Sequence, residues 1–211
     1  MIAQFRFPGE IHYLQEFVRP EGYMVQEVCR QYGGLPPEEQ VFQLWDYVCR
    51  EIDYPLTAKG EYTDYHRMDA FLVVDIPLFG PRFRVSQSSE EFFQFPAETL
   101  SWKIGDCDCT SVLLASLLRN VLPAKRVQVA IGTFRGYGHA WVTVDQLILE
   151  TTLRAATGVQ PELDGAYRPL YLFNDQEAVA VGEAKRPGKD QEVKKLAEIG
   201  KLWQRPTKGP K

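Results

Sequence analysis

The sequence has no long apolar run. No stretch approaches the roughly 18 consecutive residues that a bilayer-spanning helix needs, which excludes a membrane span of that type. Histidine is scarce, with only His12, His66 and His139. The four cysteines, Cys29, Cys49, Cys107 and Cys109, include no second pair at the spacing by which ligands converge on structural zinc. A zinc site built from Cys107, Cys109 and His139 is therefore not expected, and neither is any other metal or cofactor. Phosphate-cradling glycine loops, dinucleotide fingerprints and paired glycosidase-type carboxylates are all missing. Met1-Ile2-Ala3-Gln4 opens no apolar leader, so free thiols in a reducing, cytoplasmic compartment are expected. Net positive charge is absent as well: the formal charge is -4, which argues against a broad nucleic-acid-binding surface.

What is present is material for one sizeable core. In 211 residues, 45% are hydrophobic, enough for a single domain with appendages. Ile11 to Val18 and Tyr23 to Tyr32 read as short helices ended by Pro20 and Gly33-Gly34. Pro36-Pro37-Glu38-Glu39 starts a stronger one over Glu38 to Ile52, with Val41, Leu44, Trp45 and Val48 at helical spacing as a core stripe. Cys29 and Cys49 read as buried helix positions. Tyr54 to Pro96 is rich in Tyr, Phe and Pro, and some of its aromatics are expected to line the entrance to a cleft. Tyr167 to Phe173 and Ala178 to Val181 read as strands joined at Asn174-Asp175. Residues 183–211 change character, carrying a net charge of +5 against -9 for residues 1–182. Asp190 to Trp203 there can form a helix with one apolar stripe, and Arg205 to Lys211 is expected to be disordered. The chain thus divides into an N-terminal helical segment (1–37), a core (38–182) and a basic tail (183–211) able to dock a protein partner.

The chemistry concentrates in the core. Gly105-Asp106-Cys107-Asp108-Cys109 opens an almost continuously apolar run from Thr110 to Val121. Asp106 is a good N-cap residue, which puts Cys107 in the first turn of a helix, where unpaired N–H groups and the macrodipole favour an anion. That placement favours the thiolate, the reactive form. Arg126 to Thr133 reads as a strand, and His139 to Val144 with Leu147 to Leu153 as a hairpin turning at Asp145-Gln146. With an even-residue turn, Trp141 opposes Glu150 and His139 opposes Thr152, so His139 and Glu150 are diagonal neighbours on one face. Val142, Val144, Leu147 and Leu149 then share the other, core-facing side. A one-residue slip would separate the imidazole from the carboxylate, and Asp145 or Asp164 would become the candidate acids. Any one of Cys107, His139 and Glu150 has an ordinary structural reading. In this order and on these elements they are the parts of a thiol nucleophile with its base and orienting acid. Residues two apart on a helix point to nearly opposite sides, so Cys109 reads as a packed thiol rather than a second nucleophile. His12 and His66, with no thiol nearby in sequence, read as surface or structural residues.

Phe95-Pro96-Ala97-Glu98-Thr99-Leu100, Gly105-Asp106-Cys107-Asp108, the leucine-rich helix ending Leu117-Leu118-Arg119, His139-Ala140-Trp141 and Glu150-Thr151-Thr152 together resemble the core of the transglutaminase-like superfamily. The likeness is to its compact bacterial and phage members with a papain-like triad and spans roughly Glu38 to Thr152. It implies an α+β fold in which the helix presenting Cys107 packs on an antiparallel sheet. It also implies that Cys107 is the nucleophile, His139 the base, and Glu150 the acid at a position usually held by Asp. Gln94 is similarly placed to a Gln that could serve as an oxyanion donor. Cys109 departs from the family, which generally carries an acid there. The implied reaction is acyl transfer from an amide through a thioester. Hydrolysis of a protein or peptide substrate is the leading reading; transfer to an amine, as in a transglutaminase, or a catalytically silent binding and assembly module are the alternatives.

Overall fold

The computed structural model describes residues 2–3, 12–55, 92–145, 147–152, 160–161 and 166–181. At the N-terminal end, β1 (Ile2–Ala3) pairs antiparallel with β2 (His12–Tyr13), and a 3-10 turn follows over Leu14–Phe17. This corrects the helix predicted over Ile11 to Val18. The main chain of His12 and Tyr13 is committed to a ladder, and too few residues remain before Pro20 to nucleate an α-helix. Helix α1 (Tyr23–Tyr32) stops at Gly33 as predicted. Helix α2 (Pro37–Glu51) starts on a proline at its first position with Glu38 and Glu39 in its first turn, where neither a missing N–H nor a negative charge is a cost. Its predicted stripe of Val41, Leu44, Trp45 and Val48 is buried.

Helix α3 (Pro96–Trp102) was not legible as a helix. It is seven residues long and is held by a local device: the Phe95 N–H donates to Glu98 Oε2 at 2.6 Å, with proline at the first helical position. Helix α4 (Cys107–Leu118) follows, buried at every position from Asp108 to Leu118. A helix apolar all round belongs in the interior, and α4 is the central element of the helical layer.

After a 3-10 turn at Ala124–Arg126, β3 (Val127–Phe134) and β4 (Tyr137–Val144) form a hairpin through Arg135 and Gly136. Both turn residues have positive φ, 51° and 90°, as primed two-residue turns require. β5 (Leu147–Leu149), β6 (Gln160–Pro161), β7 (Tyr167–Phe173) and β8 (Ala178–Ala180) complete an antiparallel sheet of order β6-β5-β4-β3-β7-β8. The pairs Val142–Leu149, Thr143–Ile148 and Val144–Leu147 give the β4–β5 register read from the sequence. β7 departs from regular pairing by a bulge at Ile131/Gly132. A Cβ on Gly132 would stand 2.1 Å from the Arg168 carbonyl oxygen, so the close approach of β7 requires glycine there.

The fold is α+β, with the helices on one face of the sheet. Val25, Leu44, Val48, Leu100, Leu113 and Leu117 meet Val129, Val142, Val144, Leu149 and Phe173 in one core. The other face carries a smaller cluster of Ala130, Trp141, Ile148 and Tyr167. Among the described residues no helix is long and apolar enough to cross a membrane. The expected Asp190 to Trp203 helix and the tail after it lie outside the described residues, as do His66, Asp164 and most of Tyr54 to Pro96. Of that segment's described aromatics, Phe92 and Phe93 are buried and Phe95 stacks on Phe17 at 5.2 Å. Phe92 and Phe93 pack the interior.

Candidate active site

Cys107 is the first residue of α4 and is half-buried. The helix begins there because Asp106 caps it, its Oδ1 accepting from the Cys109 N–H at 3.3 Å. The preceding turn is fixed from the segment just past α2, since the Gly105 N–H donates to the Asp53 carbonyl at 3.1 Å. Gly105 is needed for tight packing, as a Cβ would lie 2.8 Å from the Cys109 Cβ. Burial pushes Cys29 up to about 11, and burial followed by the nearby carboxylates Asp46 and Glu150 pushes Cys49 up to about 12. These are inert thiols at neutral pH.

The sheet supplies an acid–imidazole pair. His139 on β4 and Glu150, just past β5, share one face, and His139 Nε2 lies 2.8 Å from Glu150 Oε2. The second carboxylate oxygen, Oε1, accepts from the Thr152 N–H at 3.0 Å and its hydroxyl at 2.8 Å. The Tyr167 hydroxyl donates to Oε2 at 3.1 Å. Burial pushes the Glu150 carboxyl up, but the hydrogen bond and charge of His139, with both donors of Thr152, outweigh it and hold the group below its ordinary value. The Glu150 main chain is anchored as well, its carbonyl accepting from Trp45 Nε1 at 2.7 Å and from the Cys49 thiol at 3.6 Å. Strand β5 ends at Leu149, short of the predicted Leu153, because the Glu150 carbonyl turns to α2 and Thr152 turns to the carboxylate.

Helix α4 is joined to this pair one residue beyond Glu150. Thr110 Oγ1 and Thr151 Oγ1 are 2.8 Å apart, and Ser111 Oγ lies 3.5 Å from the same atom. Residues 107, 110 and 111 lie three and four apart, on one helix face, so Cys107 belongs to the side of α4 that meets Thr151. Gln94 is buried, at 4% exposure, and its Oε1, without a hydrogen-bond partner among the described residues, lies 3.6 Å from where a Cβ at Gly105 would stand. It therefore sits beside the turn that leads into Cys107. Cys109 is fully buried, its thiol donating to the Phe92 carbonyl and accepting from the Gln94 N–H, both at 3.4 Å. It is the packed thiol expected, and it ties the 92–94 segment to α4.

Asp145 is paired elsewhere, with Arg126 Nε at 2.8 and 3.0 Å, so it is not an alternative acid. His12 is structural: Nδ1 lies 2.9 Å from Glu16, and its ring packs edge-on to Phe17 and Phe95. Among the described residues, Asp106, Asp108 and Cys109 bring ligand atoms within 4.8 Å of one another. The thiol and Asp106 already hold main-chain partners there. Sequence reasoning missed Tyr167 and Thr152. Thr152 was findable, since a threonine two residues after an acid can close a local side-chain turn. Tyr167 was not, because its approach depends on the β3–β7 bulge.

No family model matches the sequence, and no curated protein matches it. Two solved structures of Legionella pneumophila LapG, one EGTA-treated, are similar to this chain in fold. Each is 12% identical, with 89% of this chain and 99% of the other covered at a TM-score of 0.51. The likeness is one of architecture alone.

Proposed function

We propose that the protein is a thiol hydrolase of the transglutaminase-like type that cleaves an amide bond in a protein or peptide, with Cys107 as nucleophile, His139 as base and Glu150 as orienting acid. One observation carries the reading: the part-buried contact of His139 Nε2 with Glu150 Oε2 at 2.8 Å. The acid engages Nε2, so Nδ1 is the nitrogen left for a thiol, and a neutral ring with its proton on Nε2 has its basic lone pair at Nδ1. The resemblance of the motifs to the superfamily and the fold shared with LapG, a transglutaminase-like cysteine protease, support the same class.

In this mechanism Nδ1 takes the Cys107 proton and the thiolate attacks the amide carbon. The oxyanion that forms is stabilised by the Cys107 backbone N–H at the start of α4, with the Gln94 side chain beside that turn. On collapse the C–N bond breaks, the imidazolium gives its proton to the departing amine, and a thioester remains. Water, deprotonated by His139, then releases the acid and restores the thiol. Glu150 keeps the ring in the productive tautomer and stabilises the imidazolium without taking its proton.

Intact mass measurement after rapid mixing with a peptide ester tests this. The expected result is a transient acyl adduct on Cys107 that decays to free acid, and that decays to an amide when a primary amine is added only if transfer competes with water. No adduct on Cys107 with a peptide ester or a thiol-directed peptide inhibitor would overturn the reading in favour of a silent binding module.

A further inference from the structure

We propose that Tyr167 is a positioning residue of this site, its hydroxyl fixing which edge of the Glu150 carboxylate meets His139. The inference rests on the function proposed above and adds a member to the same machinery. A glutamate carries one more rotatable bond than aspartate, and its terminal torsion is broad. Left to itself, the carboxylate at 150 could turn and offer His139 either oxygen or neither. Donors on both oxygens remove that freedom. Thr152 holds Oε1 with two bonds from a single residue, which leaves a pivot about that end. Tyr167 supplies a second anchor from a different strand, on the same Oε2 that His139 meets. With both nitrogens and both hydroxyls counted, the four acceptor positions of the carboxylate are taken.

The anchor is itself rigid. Tyr167 is 3% exposed and packs its ring against Phe134 at 4.4 Å and edge-on to Trp141 at 5.0 Å. A tyrosine in such a cluster loses little freedom by also donating a hydrogen bond. Its height is set by the bulge at Ile131/Gly132, which moves β7 relative to β3 next to the Phe134–Tyr167 pair. Packing alone would be served equally by phenylalanine, so the hydroxyl is the part that needs a function.

The test compares the wild type with Tyr167→Phe, which keeps the ring. Two quantities are read: solvent exchange of the His139 Nε2 proton by NMR in a Cys107→Ser background, and kcat and KM in the Cys107 enzyme. Loss of the hydroxyl is expected to speed exchange of that proton and to lower kcat on the order of tenfold, the equivalent of one charge-assisted hydrogen bond, with KM nearly unchanged. Tyr167→3-fluorotyrosine retains the ring and strengthens the donor; it is expected to slow exchange and keep kcat. A folded Tyr167→Phe with wild-type exchange and wild-type kcat would overturn the proposal. Should Tyr167→Phe not fold, unchanged exchange in the fluorinated protein would overturn it equally. The exchange reading needs no turnover, so an inert wild type sinks the hydrolase reading without touching this one.

Discussion

Glu150 is the residue on which the site turns. It is 8% exposed and charged, tolerable only because His139, Thr152 and Tyr167 surround its carboxylate with donors. Glu150→Gln is isosteric but places an amide against Nε2, which favours the wrong tautomer and cannot stabilise imidazolium. Turnover is expected to fall by orders of magnitude, while circular dichroism shows a folded chain. Glu150→Asp keeps the charge and should be milder. Acid stability follows from the same group. A carboxyl held below its ordinary value contributes stability that is complete above the unfolded glutamate range and is lost as pH falls through the folded value. Urea midpoints between pH 7 and pH 3 should therefore drop less steeply in Glu150→Gln than in the wild type; parallel curves would contradict the assignment. The cysteines divide in the same way. Cys107→Ala should abolish acyl transfer, whereas Cys109→Ala should leave most of the rate and lower the melting temperature, since its thiol joins Phe92 and Gln94 to α4.

At the scale of elements, function depends on how α2, α4 and the sheet are held in register. Trp45 reaches from α2 to the Glu150 carbonyl. Trp45→Phe leaves that buried acceptor with only a weak thiol donor and should cost about 1–3 kcal/mol by urea unfolding. Gly132→Ala should be worse for activity than its size suggests, because the new methyl drives into the Arg168 backbone and shifts β7, which carries Tyr167. The expected signature is lost kcat in a folded protein, together with the faster His139 Nε2 proton exchange of Tyr167→Phe. What the sequence disclosed at this scale follows from periodicity. The β4–β5 register was legible because one pairing alone buries Val142, Val144 and Leu149 together, and that pairing delivers His139 to Glu150. Helix α4 was legible from Asp106 and the apolar run behind it. The 3-10 turn at Leu14–Phe17 and the short α3 were not, since both are set by tertiary pairing or a single capping contact rather than by a repeated pattern.

At the scale of the whole molecule, a helical layer packed on one face of an antiparallel sheet does two things at once. It buries the apolar faces of α1, α2 and α4, and it docks the first turn of α4 on Thr151, beside the acid of the sheet. The sequence could mark Cys107, His139 and Glu150 as candidates because each sits at a distinctive place, a capped helix start or a strand face. It could not supply the contacts of Tyr167, which join residues far apart in the chain. In the proposed mechanism Cys107 is an activated thiol whose state depends on His139. The most direct measurement is the rate of iodoacetamide alkylation at each cysteine across pH, read by peptide mass spectrometry in the wild type and in His139→Ala. Cys107 is expected to react far faster than Cys29, Cys49 and Cys109 at neutral pH, and to lose that advantage in His139→Ala. A Cys107 that reacts no faster than Cys29, or whose rate is indifferent to His139, would contradict the account.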